Sequence, residues 1–291
     1  MKNYLIDFFE EFEYEESDRI ALLDAYDKIC EREDSRLLWQ SALDSYERDV
    51  RCDYKAVLAA ADEAAALVGA HKYTAELLIF ICMSKRLRAL YAERGVNLAI
   101  YHDSMLDLKY KLDECKTVKG VVGSFVAFWF PRFFYLERVA FGRLQFEINK
   151  FGKSYERDGR VLTPDSRVVN IHIPRTLTPL SQDNCDESFA RAREYFKSEF
   201  DGEVPFACTT WLLYPENERV LSEKSNVYKF MKRFDIFASE SDPEKHDLWR
   251  IFDTDERDIS LLPTDTHLRR AYVEHLTRGG TLGRGSGVFF M

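Results

Sequence analysis

The chain has 291 residues, 46% hydrophobic, 31% charged and 14% aromatic, with a formal net charge of -9. That is enough for one large or two ordinary soluble domains, with a core led by its Phe and Tyr side chains. The negative balance excludes a nucleic-acid backbone and an anionic membrane surface as partners, since both need a basic face.

Residues 1 to about 118 read as successive helices. Tyr4, Leu5, Phe8, Phe9 and Phe12 recur at helical spacing. Asp18 is the expected cap of a second helix carrying Leu22, Leu23 and Ile29, and Ser35 that of a third carrying Leu38, Trp39 and Leu43. Asp53 to Leu67 is alanine-rich, the strongest helix former, and Gly69 stands where a helix ends. Two longer helices follow, Lys72 to about Arg94 and Asn97 to about Cys115. Gly120 and Gly123 precede an aromatic segment, Phe125 to Tyr135, that Pro131 should break or kink. A helix or helix pair is expected there, ending near Val139. The longest apolar run, Val121 to Phe130, is too short to span a bilayer.

After Gly142 the pattern changes. Strands are expected at Arg143–Ile148, Val168–Ile173, Cys208–Tyr214 and Val227–Ala238, with a last one at Val288–Met291. They alternate with helices at about Asp186–Phe200, Glu216–Glu223 and Asp265–Arg278. The reading is an α+β chain: a helical domain over 1–139, then a mixed sheet covered by helices over 140–291. The six cysteines are scattered, with no C-x-x-C pair, and the N-terminus lacks an apolar signal core. Both suit a cytoplasmic protein with free thiols.

Several constellations carry candidate chemistry. Read as a strand, Arg143, Gln145 and Glu147 line one face, with Leu144, Phe146 and Ile148 on the other. That row is either a solvated face or the floor of a polar site. His172 and Asn170 alternate against Val169, Ile171 and Ile173, so His172 is either a general base or an edge-strand residue with one structural hydrogen bond. Cys208 and Thr210 share a strand face, and the strand either opens on a cleft or buries the thiol in the core. A Cys208–His172 thiol hydrolase is a further reading. The Gly-rich stretch from Arg278 to Gly287 invites a phosphate-cradle reading, yet it follows a helix and leads into a strand, the reverse of a phosphate loop. Scattered histidines and the lack of H-E-x-x-H give no metal site.

The ordered motifs Phe141-Gly142-Arg143-Leu144-Gln145-Phe146-Glu147, Asn170-Ile171-His172-Ile173-Pro174, Ser188-x-x-Arg191-Ala192-x-x-Tyr195-Phe196, Cys208-x-Thr210-Trp211-Leu212-Leu213 and Ser225-Asn226-Val227 resemble a bacterial family of acyltransferase domain-containing proteins. That family joins a helical N-acyltransferase N-terminal domain to a GNAT-like C-terminal domain. Tyr101-x-Asp103-Ser104-Met105-x-Asp107 resembles its N-terminal pattern. The resemblance implies a GNAT-like fold and acyl transfer from acyl-CoA to an amine, and so a small-molecule partner. Set on that reaction, the polar strand faces above suggest Glu147 or His172 as the general base, the amides of Cys208, Thr209, Thr210 and Trp211 at the thioester, and Arg143 and Gln145 at the substrate, where the Ser225-Asn226-Val227 motif adds Asn226. In the GNAT superfamily a Gly-rich helix N-terminus after the thioester strand holds the pyrophosphate. Here the strand at Cys208–Tyr214 leads into Pro215-Glu216-Asn217-Glu218, acidic and without glycine. The alternative is a non-catalytic GNAT-like module that binds a small molecule or peptide.

Overall fold

The computed structural model describes residues 1–291, folded into two compact units, Met1–Val139 and Ala140–Met291. The first unit is helical: α1 (Lys2–Glu11), α2 (Glu16–Glu31), α3 (Glu33–Arg48), α4 (Tyr54–Val68), α5 (Lys72–Glu93), α6 (Leu98–Lys119) and a short α7 (Pro131–Phe134). Helix α5 is the axis. Its segment Leu77–Met83 is buried without interruption, and it packs against α1, α2, α3, α4 and α6. A helix apolar all round must be enclosed by others. Aromatic rings fill the joints: Phe80 lies 5.8 Å from Tyr54, 5.1 Å from Phe130 and 4.9 Å from Phe134 between ring centroids. No helix is long and apolar enough to cross a membrane.

The expected end of α4 at Gly69 holds, and the expected N-caps of two earlier helices fail. The Asp53 carboxylate accepts from the amides of Lys55 and Ala56, and Gly69 closes α4 with φ 69°. Asp18, in contrast, lies inside α2, buried and paired with Lys116 Nζ at 2.8 Å. Ser35 lies inside α3 and donates to the Ala64 carbonyl at 2.9 Å. Both were polar residues with long-range work, which local sequence does not announce. Pro131 opens α7 at its first turn, where its missing N–H costs nothing, so it starts a helix instead of kinking one.

The second unit is a mixed sheet with helices. Its strands are β1 (Arg138–Phe141), β2 (Leu144–Lys150), β5 (Arg167–His172), β6 (Pro205–Thr210), β7 (Asp235–Asp242) and β8 (Leu282–Phe290), in the order β1-β2-β5-β6-β8-β7. A hairpin of β3 (Tyr155–Arg157) and β4 (Arg160–Leu162) stands apart from that sheet. The helices are α8 (Gln182–Phe196), α9 (Asn217–Val220), α10 (Asn226–Met231), α11 (Leu248–Phe252) and α12 (His267–Thr277). Register sorts the faces. Phe146, Phe206 and Phe289 fall on one side with Phe189 of α8, their ring centroids 4.9–6.1 Å apart. This apolar face is roofed by α8.

Two expected strands change, and one stretch read as a connection becomes strand. The Cys208–Tyr214 run stays extended only to Thr210, and Trp211–Leu213 forms a 3₁₀ turn capped by the Thr210 side chain. Val227–Ala238 divides into α10 and the start of β7. The Gly-rich stretch taken for a loop is most of β8. A Cβ on Gly285 would lie 1.9 Å from the Leu213 carbonyl oxygen, and one on Gly283 would lie 2.4 Å from the Glu240 carbonyl oxygen. The glycines are there because the 3₁₀ turn and the neighbouring strand press on the backbone, not because the chain bends.

Candidate functional site

Strands β2 and β5 are antiparallel, with Gln145 opposite His172 and Glu147 opposite Asn170. Directly opposed residues share a face, as do residues two apart along a strand. Gln145, Glu147 and Asn149 therefore stand beside Asn170 and His172, away from α8. The outcome is a connected set. Glu147 Oε1 lies 2.9 Å from His172 Nε2 and accepts from Asn149 Nδ2 at 2.9 Å. The Asn170 carboxamide is 3.1 Å from the same imidazole nitrogen. The Glu147 side chain is 4% exposed and that of His172 20%.

These contacts fix a tautomer. A carboxylate only accepts, so the nitrogen facing Glu147 carries the proton. It is Asn170 Nδ2 that lies 3.1 Å from this nitrogen, and since two donors cannot face one another, this tautomer assigns the carboxamide the other way round, with its oxygen towards Nε2–H. Nδ1 is then the basic nitrogen of His172. A buried carboxylate behind a histidine, holding its tautomer and stabilising its cation, is the arrangement a general base needs.

The polar row read from the sequence does not stay together. Gly142, at φ 58°, turns the chain, and β2 begins only at Leu144. Arg143 is buried, its amide donating to Ser188 Oγ at 3.1 Å and its Nη1 to the Pro174 carbonyl at 2.8 Å. It ties the start of the 173–181 connection to α8, while Gln145 and Glu147 serve the sheet.

Strands β5 and β6 are the parallel pair of this sheet. They pair only at Val169–Phe206 and Asn170–Ala207, then separate. Past that point β6 continues on β8, with Cys208 opposite Gly287, Thr209 opposite Ser286 and Thr210 opposite Gly285. Thr209 shares the His172 face, is exposed, and meets Ser286 Oγ at 2.9 Å. Cys208 points to the other face. Its thiol donates to the Ile171 carbonyl at 3.5 Å, and burial pushes its pKa up to about 12. The Cys208–His172 thiol dyad is therefore overturned: the sheet lies between them, and the thiol is not ionised near neutral pH. Trp211 sits in the 3₁₀ turn with its ring 6.0 Å from Tyr272, and Asn226 opens α10, exposed at its first turn.

Each of the parted strands leads to a helix, β5 through the connection 173–181 to α8 and β6 through the 3₁₀ turn to α9. The nine-residue connection 173–181 was not singled out in the sequence, because it has no glycine. It is held at several points. Arg175 grips Asp253 with Nε at 2.8 Å and Nη2 at 3.1 Å, Asn184 Nδ2 donates to the Pro179 carbonyl at 2.9 Å, and Ser181 caps α8. The acidic start of α9 has partners of its own: Glu216 lies 3.1 Å from His275 Nε2, and Glu218 pairs with Lys232 at 2.6 Å. The phosphate-cradle reading of the Gly-rich stretch also falls. Arg284 is spent on the buried Asp247, at 2.6 and 3.0 Å, and Arg278 pairs with Glu274. No group of three or more His, Cys, Asp or Glu side chains is arranged to hold a metal ion.

Comparison with known proteins follows the two-unit division. The profile of the GNAT-like C-terminal domain matches residues 139–289, and that of the N-acyltransferase N-terminal domain matches residues 3–136. No curated protein matches the chain. Among solved structures, an acyltransferase in complex with decanoyl-CoA superposes with a TM-score of 0.75 at 21% identity, over 97% of this chain and 86% of that one. An acyltransferase in complex with decanoyl-CoA and teicoplanin gives 0.72 at 21% identity, over 98% and 86%. An acyltransferase in complex with CoA and 10C-teicoplanin gives 0.73 at 20% identity, over 97% and 86%. At such identities the likeness is one of fold.

Proposed function

The chain belongs to the N-acyltransferase family with a GNAT-like C-terminal domain, and on that premise we propose that it transfers an acyl group from acyl-CoA to a small-molecule amine. The observation that carries the reading is the Glu147–His172 pair at the 2.9 Å contact, beside the point where β5 and β6 part. Acyl-CoA lies in that opening, its pantetheine amides meeting the backbone that the two strands no longer share. The amides of Cys208 to Trp211 polarise the thioester carbonyl. Gln145 and Arg143 shape the approach, and Asn226 stays an assignment by resemblance.

In the reaction the acceptor nitrogen adds to the thioester carbon, and His172 Nδ1 takes the ammonium proton as the C–N bond forms. Glu147 holds the imidazole and stabilises the cation that results. The tetrahedral intermediate collapses with loss of the CoA thiolate, which recovers the proton from His172. The products are an amide and free CoA thiol. The acyltransferases of the same fold in complex with decanoyl-CoA, with decanoyl-CoA and teicoplanin, and with CoA and 10C-teicoplanin support a donor of this class. The six unpaired cysteines fit a reducing cytoplasm.

The test is release of CoA thiol from acetyl- and octanoyl-CoA in the presence of amines, with the wild type and with Glu147 and His172 both replaced by Ala. Loss of turnover in a folded double variant is expected. Unchanged turnover would sink the assignment. Thermal shift with the same thioesters separates an enzyme from a module that binds something else: about 2.7 kcal/mol of stabilisation is expected at a hundredfold excess over Kd.

A further inference from the structure

On the His172 face of the sheet lies a small cavity of about 80 Å³, one residue pair further down β5. Its polar lining includes Asn149, Lys150, Lys153, Asn170, Thr209 and Ser286. Phe151 and Phe237, ring centroids 5.5 Å apart, supply apolar wall. Lys153 comes from the connection between β2 and β3 and folds back to donate to Ser286 Oγ, a buried hydroxyl already in contact with Thr209. No Asp or Glu lines the cavity. In a chain of net charge -9, a pocket whose ionic groups are two ammoniums, that of Lys150 paired outside it with Asp165 at 2.7 Å, backed by hydroxyls and carboxamides, is a place for an anion.

Size and position narrow the class. Water occupies about 30 Å³ in the liquid, so the space takes two or three heavy-atom groups of that size, as a carboxylate does. Asn170, which lines the cavity, also touches His172. Two residues of strand separate their Cα atoms by about 6.6 Å. An amine whose proton goes to His172 would therefore carry its acid a few bonds away. We propose that this cavity is a carboxylate subsite for the acceptor, and that the acceptor is a short amino acid in which a few carbons separate the amine from the acid. The inference rests on the acyl-transfer reading and adds to it the chemistry of the acceptor.

Matched acceptors test it: β-alanine and 4-aminobutyrate against 3-aminopropanol and 4-aminobutanol, which keep the amine and lose the charge. With acetyl- or octanoyl-CoA as donor, kcat/KM is expected to be at least tenfold higher for each acid than for its alcohol. Lys153→Met should bring that ratio to about one, and Lys153→Arg should restore most of it. The side chain is exposed, so folding is not at stake. Equal rates for acids and alcohols in the wild type, or a ratio that Lys153→Met leaves untouched, overturn the subsite and leave acyl transfer standing. Thiol release with none of the amines overturns both.

Discussion

Replacing Glu147 by Gln keeps the side chain's shape and its hydrogen-bonding oxygen, and removes one charge from a site 4% exposed. In the proposed reaction His172 becomes an imidazolium, and the Glu147 carboxylate is its counter-charge across the 2.9 Å contact. Two unit charges centred about 4 Å apart interact by about 4 kcal/mol at an effective dielectric of about 20. At about 1.36 kcal/mol per decade that is roughly a thousandfold in rate, less whatever the Gln dipole recovers. We expect kcat to fall by about 10²- to 10³-fold, with KM for acyl-CoA within about twofold of wild type, because no role in holding the donor falls to Glu147. His172→Ala should cost a similar factor. The double variant should be little worse than either, since the two side chains act as one unit. The assay is thiol release at saturating donor, with thermal unfolding to confirm that each variant is folded. A folded Glu147→Gln protein with kcat within about threefold of wild type would refute the reasoning, as would double-variant losses that simply multiply.

Other expectations concern thiols, pH and packing. With its pKa pushed up to about 12 by burial, Cys208 should resist iodoacetamide at pH 7.5 until the protein is denatured; rapid labelling of the native form, seen by peptide mapping, would contradict its placement. Burial, and then Asp62, raise the Glu76 carboxyl from 4.5 to about 7. The folded chain thus holds that proton more tightly than the unfolded one, so Glu76 costs stability progressively as pH rises from about 4.5 to 7. Glu76→Gln should match wild type at pH 4 and melt higher at pH 8, and a difference independent of pH would refute this. Gly285→Ala should destabilise by about 3 kcal/mol or more, because its Cβ meets backbone at 1.9 Å. Gly69→Ala, at φ 69° in open space, should cost only about 1 kcal/mol. Urea midpoints in the reverse order would show the packing argument to be wrong.

Helices were legible in α4 and α5 and at the start of α6, where Gly69 and Asn97 mark limits, but α6 runs on to Lys119, past the expected end near Cys115. Local pattern failed where a residue's partner is distant in sequence. Asp18 and Ser35 look like caps until Lys116 and Ala64 are seen beside them. The candidate base pair was half legible: alternation put Glu147 and His172 on polar faces, but only the β2–β5 register brings them together. Alternation also misplaced Arg143, because Gly142 ends the pleat before it. The 173–181 connection escaped notice because glycines were the signal sought for a phosphate loop, and this segment is ordered by Arg175, Asn184 and Ser181 instead. Glycines did mark something real in β8, namely the close approach of the 3₁₀ turn.

The brief pairing of β5 with β6 has a mechanical consequence. The sheet is two leaves, β1-β2-β5 and β6-β8-β7, sewn together along only two residue pairs. Each leaf is stiffened by antiparallel ladders, while the seam between them is short, and the connection that crosses it is long and includes α8. Such a seam is the softest line in the second unit, and its amides should exchange with solvent sooner than those of β2 or β8. On the proposed reading, a molecule lodged in the opening would act as the missing stitches, and substrate loading and the rigidity of the whole sheet would be one equilibrium.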